Sequence, residues 1–258
     1  MLTLFACAAP ESRATEIPPN PFKLWFHVGE EIKYNIHWGV VPVGSSKITT
    51  QWILYKDRPV IQIRIATKTK NLMDTIYPVD DLIETLVDPV TFLPIRFIKR
   101  LKEGRYRCDE TTFFNFKTLK AQWSSKTNGR SKEFDIEPDT RDIVTFMYYM
   151  RKQSFAPGTT NSYRVMADEK LYDLIVSAEK TVKMKIKKYG EIASTRVQPT
   201  AAFQGIFVRS GAVTLWVSDD PRRICTRIMA SVPVANVRLN VESVRGPGDD
   251  FWVKPGKE

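Results

Sequence analysis

Glu31-Ile32-Lys33-Tyr34-Asn35-Ile36-His37-Trp38 is the stretch that decides the fold. Ile32, Tyr34, Ile36 and Trp38 fall on one side at a period of two, and polar side chains occupy the other. That alternation predicts a strand with one face in a core and one face in water. Gly39 and Pro42-Val43-Gly44 break the pattern, and a second strand is read over 47–55, ending in Tyr55. Lys56-Asp57-Arg58 reads as a turn and 60–66 as a third strand, so the opening third of the chain is an antiparallel meander.

The same reading extends along the chain. Strands are expected over 94–102 and 106–116 around Gly104, and over 119–126 and 131–136 around Asn128-Gly129, a strong hairpin signal. Further strands fall at 161–167, 170–178, 181–189, 192–198, 212–217, 222–229 and 232–244. Residues 79–87 fit neither period. One helix interrupts the strands, Ile143 to Arg151, capped by Asp139 or Thr140, with Asp142 in its first turn and Pro157-Gly158 as its stop. It is apolar around most of its circumference and so is expected to be buried against a sheet. The predicted architecture is mainly β: a large curled, half-barrel-like antiparallel sheet wrapping one central helix.

Composition bounds the rest. The chain has 258 residues with 43% hydrophobic content, six Trp and fourteen Phe, which excludes wholesale disorder. No apolar run approaches the ~18 residues that would span a bilayer as a helix. A disulfide scaffold is excluded by the presence of three Cys only. Domain organisation is read as a truncated export signal and lead-in over 1–20, one β-rich domain over 21–245 and a flexible tail over 246–258.

Met1 to Ala14 carries a short apolar stretch followed by Ser12-Arg13-Ala14, with small residues where a signal peptidase reads. It resembles the back half of an export signal, the alternative being an ordinary cytosolic start. Leu4-Phe5-Ala6-Cys7 also resembles a lipobox, which would make Cys7 an acylated first residue. Cys108 and Cys225 lie in strand-like contexts and read as buried free thiols, with a bridge as the alternative. His27 and His37 are the only histidines, so a zinc site of Cys/His type is not expected; Asp80, Asp81 and Glu84 could hold a hard cation, but no metal site is assigned.

Chemistry is faintly written. Asp80, Asp81 and Glu84 form the most suggestive carboxylate group, able in principle to divide acid and base roles. A strand would set Asp80 and Asp81 on opposite faces, and the plainer reading is a turn with a solvated face. Gly-x-Ser-x-Gly, His-Glu-x-x-His and phosphate-loop patterns are missing, and no cofactor is implied. The net charge is +10. Lys183, Lys185 and Lys187 share one strand face, opposite Val182, Met184 and Ile186. They read either as a solvated, protected edge or as a surface that attracts polyanions such as anionic lipid, lipopolysaccharide or acidic glycan. Arg96, Lys99 and Arg100 would add to this surface only if they shared its face. No motif supports nucleic-acid binding. Trp38, Trp52, Tyr106, Phe113, Trp123 and Trp216 lie on predicted strands. They are read as core, or as the lining of an apolar cavity on the concave face; Trp38, Trp52, Tyr106 and Trp216 are the candidate ligand contacts.

In order along the chain come Gly29-Glu30 through Tyr34 to Trp38, Val43-Gly44, Asp80-Asp81 through Glu84, Pro94-Ile95-Arg96-Phe97 and Glu103-Gly104-Arg105-Tyr106. After them stand Thr140-Arg141-Asp142-Ile143, Pro157-Gly158, Lys170-Leu171-Tyr172, Gly205-Ile206-Phe207 and Trp216-Val217-Ser218-Asp219-Asp220-Pro221-Arg222-Arg223. Over about 25–245 these words resemble the bacterial domain-of-unknown-function family 3108. The resemblance implies an exported, envelope-located β protein without established catalysis. Its fold would be broadly similar to the curled-sheet carriers that move lipoproteins across the periplasm. Ile224-Cys225 departs from the pattern, which has a Pro after the Arg pair.

The function expected is therefore that of a non-enzymatic envelope protein. It would hold an apolar or amphiphilic ligand, lipid or lipoprotein-like, against the concave face. A glycan-acting enzyme using Asp80, Asp81 or Glu84 is the first alternative. A scaffold binding envelope proteins through a sheet edge is the second. Partners are an anionic envelope component or lipid, and not nucleic acid.

Overall fold

A computed structural model describes residues 22–70, 72–167, 169–201, 213–231, 236–246 and Trp252. The segment around Cys7, the Gly205-Ile206-Phe207 word and most of the expected tail lie outside the described residues. Elements follow in the order β1 (Glu31–Trp38), β2 (Val41–Tyr55), β3 (Arg58–Thr69), α1 (Leu72–Ile76), β4 (Asp80–Val87), β5 (Pro94–Glu103), β6 (Tyr106–Asn115), β7 (Lys120–Ser125) and β8 (Ser131–Asp135). After these come β9 (Arg141–Asp142), α2 (Ile143–Met150), β10 (Thr160–Ala167), β11 (Lys170–Ile186), β12 (Gly190–Ala201), β13 (Val213–Ser218), β14 (Cys225–Ala230) and β15 (Val237–Arg245).

All of the strands belong to one 15-stranded sheet, ordered β8-β7-β6-β5-β4-β3-β2-β1-β15-β14-β13-β12-β11-β10-β9. The first eight strands form a meander, and β10 to β15 form a second one that returns to β1. The two are joined where β1 pairs antiparallel with β15, Ile36 opposite Leu239 and Trp38 opposite Val237. The short β9 lies parallel to β10, and it is the one parallel pairing described. Because β8 and β9 are neighbours in sequence but stand at opposite ends of the sheet, the strip must curl to bring its ends together. Phe114, Ala121, Ile136 and Met166 make a small core there, and Arg130 reaches Glu169 at 3.2 Å. Among the described residues side chains, not backbone hydrogen bonds, connect the two ends, so the barrel-like roll is not closed.

Inside the roll lies α2. Ile143, Val144, Phe146, Tyr148 and Met150 are buried in the main core with Ile61, Ile63, Val176 and Val197. At ~2 kcal/mol for each large apolar side chain buried, this face of the helix is its chief hold on the sheet. Buried polar contacts fix both of its ends. Asp142 is the N-cap, in place of the expected Asp139 or Thr140. It accepts hydrogen bonds from the Val144 and Thr145 amides at 2.8 and 2.9 Å. Its other oxygen accepts from the hydroxyls of Thr145 at 2.6 Å and Thr85 at 2.7 Å. Thr140 instead accepts the Glu137 amide through its hydroxyl at 2.9 Å. At the C-terminal end, Arg151 donates to both oxygens of Glu30 at 2.5 and 2.8 Å. Tyr148 donates to the same carboxylate at 3.2 Å. A pair this deeply buried adds little net stability but penalises any arrangement that separates its partners.

Several expectations change in detail. β2 begins at Val41, because Pro42 stands at a bulge opposite His37, a position that needs no backbone donor. The stretches read as separate strands over 170–178 and 181–189 are one strand, β11, with an irregularity between Ala178 and Thr181. The helix α1 had no legible signal. Most of the stretch 79–87 forms β4, whose alternation is blurred because polar Thr85 is buried on the inner face and Leu86 is buried beside it. Trp252, within the expected loose tail, is buried, with its ring 4.7 Å from Tyr189 and its Nε1 donating to Asp220 at 3.2 Å.

Candidate functional site

The helix α2 fills one part of the trough and leaves another open. That open part is a cavity of about 650 Å³. Alternation along neighbouring strands supplies its walls: Ile36 and Trp38 from β1, Val43 and Gly44 from β2, Thr67 and Thr69 from β3, Val237 and Leu239 from β15. Met73, Ile76 and Tyr77 from α1 and the residue after it cover one side. The volume lies in the ~300–1,000 Å³ range of small-molecule sites, and the lining is largely apolar, as such sites are.

Two glycines shape this end of the roll. A Cβ on Gly44 would meet the Lys68 carbonyl oxygen at 2.4 Å, so only glycine allows β2 to run this close to β3. Gly104, at φ +53°, turns the β5–β6 hairpin, and a Cβ there would lie 2.8 Å from the Tyr77 ring. Thr69 tethers α1 by donating to Asp74 at 3.0 Å and accepting the Val79 amide at 2.9 Å. Around the opening, large apolar side chains face solvent. Val40 is 87% exposed, Leu72 71% and Ile76 64%, with Trp38, Val41 and Tyr77 also exposed. A concentration of exposed apolar groups beside a cavity is a usual mark of a binding mouth.

Asp81 and Glu103 put carboxyl groups on the cavity wall. Burial raises the Asp81 carboxyl to about 6, against the Lys102 amide bonded to it, and neighbouring Glu103 pushes the same way. Asp81 accepts that amide at 2.9 Å. The pair is a protonatable polar spot on a largely apolar wall whose other polar residues are Thr67, Lys68 and Thr69.

Of the residues singled out in the sequence, Trp38 lines the cavity and the other three aromatic candidates do not. Trp52 packs against the core, 5.7 Å from the Phe22 ring. Tyr106 is exposed at its hairpin, and Trp216 lies on the outer face with the Arg227 guanidinium 5.7 Å from its ring centre. The carboxylates separate as well. Asp80 pairs with Lys68 at 3.1 Å on the outside, and Glu84 pairs with Arg96 at 3.0 Å. Of the three only Asp81 lines the cavity, with Glu103 also on its wall. Asp80, Asp81 and Glu84 therefore do not converge on one cleft as the two carboxyls of a glycan hydrolase would. Met73, Ile76, Tyr77 and Glu103 escaped sequence reading because α1 carries no periodic signal and Glu103 sits in a turn-like tetrad.

The basic residues also divide. Lys183 pairs with Glu191 at 3.5 Å. Lys185 and Lys187 line a separate groove of about 850 Å³. Arg96, Lys99 and Arg100 do not join it: they pair with Glu84, Glu110 and Asp109 at 3.0, 2.9 and 3.5 Å. Cys108 and Cys225 are both free thiols.

The fold is that of a mainly β protein built on one large, open, barrel-like sheet. The family model for proteins of unknown function DUF3108 matches residues 33–242. The chain belongs to that family. Among solved structures it is similar to a β-barrel-like protein of domain of unknown function DUF1849 from Brucella abortus, with a TM-score of 0.57 and 10% identity over 84% of this chain and 97% of that one. At that identity the likeness is one of fold alone. No curated protein matches.

Proposed function

We propose that this protein is a non-enzymatic carrier or receptor of the cell envelope that binds an apolar or amphiphilic ligand, such as a lipid or a lipidated protein segment, in the open half of the trough. The cavity of about 650 Å³, apolar in lining and flanked by exposed Trp38, Val40, Leu72 and Ile76, is the observation that supports it. Each methylene transferred from water into such a cavity contributes ~0.8 kcal/mol, so an acyl chain supplies its own affinity. Asp81 and Glu103 would receive a hydrogen-bonding headgroup at the wall. The envelope location follows the export-like stretch before Ala14 and the family resemblance.

Native mass spectrometry of protein purified from its own envelope, together with titration of a fluorescent fatty acid, tests this reading. Co-purifying lipid and saturable probe binding are expected, with binding weakened at least tenfold by Ile76→Asp, which sets a charge at the mouth. A protein that repeatedly carries no lipid, or binds the probe equally well as I76D, would overturn the reading.

A further inference from the structure

The outer face of the same sheet carries a second candidate site with the opposite chemistry. Lys33, Asn35 and His37 alternate with the inward residues of β1, and Arg238 and Asn240 lie opposite them on β15. Arg227 of β14 continues the row, opposite Asn240. The far end of β11 and the turn after it, Met184 to Lys188, form the facing wall, enclosing a groove of about 850 Å³.

Its cations are Lys33, Lys185, Lys187, Lys188, Arg227, Arg238 and Arg245. Among the described residues Lys33 is paired, with Glu31 at 3.6 Å. Lys185, Lys187, Arg227, Arg238 and Arg245 have no ion-pair partner among the described carboxylates, unlike the cations of β5. Glu242 is the carboxylate that lines the groove. Packing so many like charges together is unfavourable in the empty protein, and burial followed by neighbouring Arg238 pushes Arg227 below the usual arginine pKa.

The groove is also held in shape. The Tyr189 hydroxyl, fully buried, accepts the Val244 amide at 2.8 Å and donates to the Val244 carbonyl at 3.2 Å. This pins the β11–β12 turn, and so the Lys185–Lys187 wall, to β15. Arg227 donates to Asn240 at 2.7 Å, and Arg238 to the Gly39 carbonyl at 3.3 Å. Arg238 Nε and His37 Nδ1 are buried with no partner. Buried polar groups that lack partners want an acceptor or donor from elsewhere.

We infer that this groove binds a compact, multiply charged phosphate-bearing anion, either the headgroup of an anionic amphiphile or a soluble polyphosphate. Guanidinium groups at Arg227 and Arg238 suit the planar, bidentate recognition of phosphate, and Lys185 and Lys187 supply point charges from the facing wall. A single-stranded polynucleotide is disfavoured, because such sites use aromatic platforms for the bases and no Phe, Tyr or Trp lines this groove. The site lies behind the sheet from the apolar cavity and stands or falls separately from the proposed function.

Isothermal titration of the full chain with inorganic tripolyphosphate at low ionic strength is the test. Saturable binding that weakens with salt is expected, as is a loss of roughly tenfold or more in Arg227→Gln/Arg238→Gln. Should that variant fail to fold, Lys185→Gln/Lys187→Gln at the exposed wall is expected to show a comparable loss. Lys183→Gln, outside the groove, should bind as the parent does. Cosedimentation with phosphatidylglycerol vesicles, but not with phosphatidylcholine vesicles, and competition by tripolyphosphate would identify a lipid headgroup as the source. Tripolyphosphate binding without vesicle binding would identify a soluble anion. No saturable binding, an equal loss in K183Q, or tighter binding of polydeoxythymidine would overturn the inference.

Discussion

Asp142→Ala should be among the most damaging single substitutions in this protein. The carboxylate is fully buried and accepts four hydrogen bonds between 2.6 and 2.9 Å, from two backbone amides and two threonine hydroxyls. Losing an N-cap costs ~1 kcal/mol on its own. The hydroxyls of Thr85 and Thr145 are buried too, and leaving them without an acceptor costs ~1 kcal/mol or more each. Thr85 and Thr145 still meet each other at 3.3 Å, which recovers part of that loss. The total is ~3 kcal/mol. Asp142→Asn retains one oxygen for the two amides and turns an NH₂ toward hydroxyls that can reverse to accept it, so it should cost ~1 kcal/mol. Burial raises the Asp142 carboxyl above its ordinary pKa in spite of these bonds, which makes the isosteric neutral amide tolerable. Equilibrium urea unfolding followed by tryptophan fluorescence reads both variants against the parent. D142A within 1 kcal/mol of the parent, or D142N as unstable as D142A, would refute the view that this carboxylate anchors the helix to β4.

Three more outcomes follow from particular groups. Asp81, raised from 3.8 to about 6, contributes stability that is fully present below pH 3.8 and is lost as pH rises through 6. The ceiling for that displacement is ~3 kcal/mol, and for a half-solvated carboxyl ~1 kcal/mol is the better figure. Asp81→Asn should therefore stabilise by ~1 kcal/mol at pH 7 and not at pH 3; a D81N protein less stable than the parent at pH 7 would contradict the assignment. Burial pushes the Cys108 and Cys225 thiols up to about 12. In a Cys7→Ser background neither should react with a disulfide reagent at pH 8, where only ~10⁻⁴ of each is thiolate, until denaturant is added; rapid native labelling would be the contrary result. Gly44→Ala forces β2 and β3 apart at a 2.4 Å contact and should cost ~1–3 kcal/mol, and an unchanged melting temperature would show that the strands separate freely.

The strands were legible where one face meets the core and the other meets water. The EIKYNIHW stretch became β1 with every alternate residue inward, and the Asn128-Gly129 turn made the β7–β8 hairpin, with Gly129 at φ +69°. The helix was legible too, because its apolar circumference has no other home. Reading failed where polar groups act inside the fold. Thr85 belongs on the inner face because Asp142 needs it, and nothing in the local pattern at 79–87 could announce a partner 57 positions away. The site was less legible than the fold. Trp38 was found because it ends an alternating strand, but whether an inward aromatic fills a core or lines a void depends on how far α2 extends along the trough. Eight helical residues, Ile143–Met150, leave one end empty, and that is a property of length against curvature. Among the lysines, 183, 185 and 187 read from the sequence as one strand face, but β11 ends at Ile186 and Lys187 stands in the turn after it. Their separation into a paired Lys183 and an unpaired Lys185 and Lys187 depends on the position of Glu191 across the hairpin.

Alternation also explains how one pair of strands can serve two chemistries. Trp38 and Val237 face the apolar cavity, while His37 and Arg238, one position away on the same strands, face the basic groove. Only the β1–β15 ladder separates the two spaces. No ligand can pass through paired backbone, so an amphiphile whose tail occupies the cavity could reach the groove with its headgroup only by going over the rim at Gly39 and Val40. Val40 is the most exposed large apolar side chain described, and Arg238 already donates to the Gly39 carbonyl at that turn. The rim is thus apolar on its crest with a guanidinium tied to it from the groove side. The net charge of +10 belongs in this picture. On β3 and β5, Lys68, Arg96, Lys99 and Arg100 are matched by Asp80, Glu84, Glu110 and Asp109, whereas Lys185, Lys187, Arg227, Arg238 and Arg245 of the groove have no such partner among the described carboxylates.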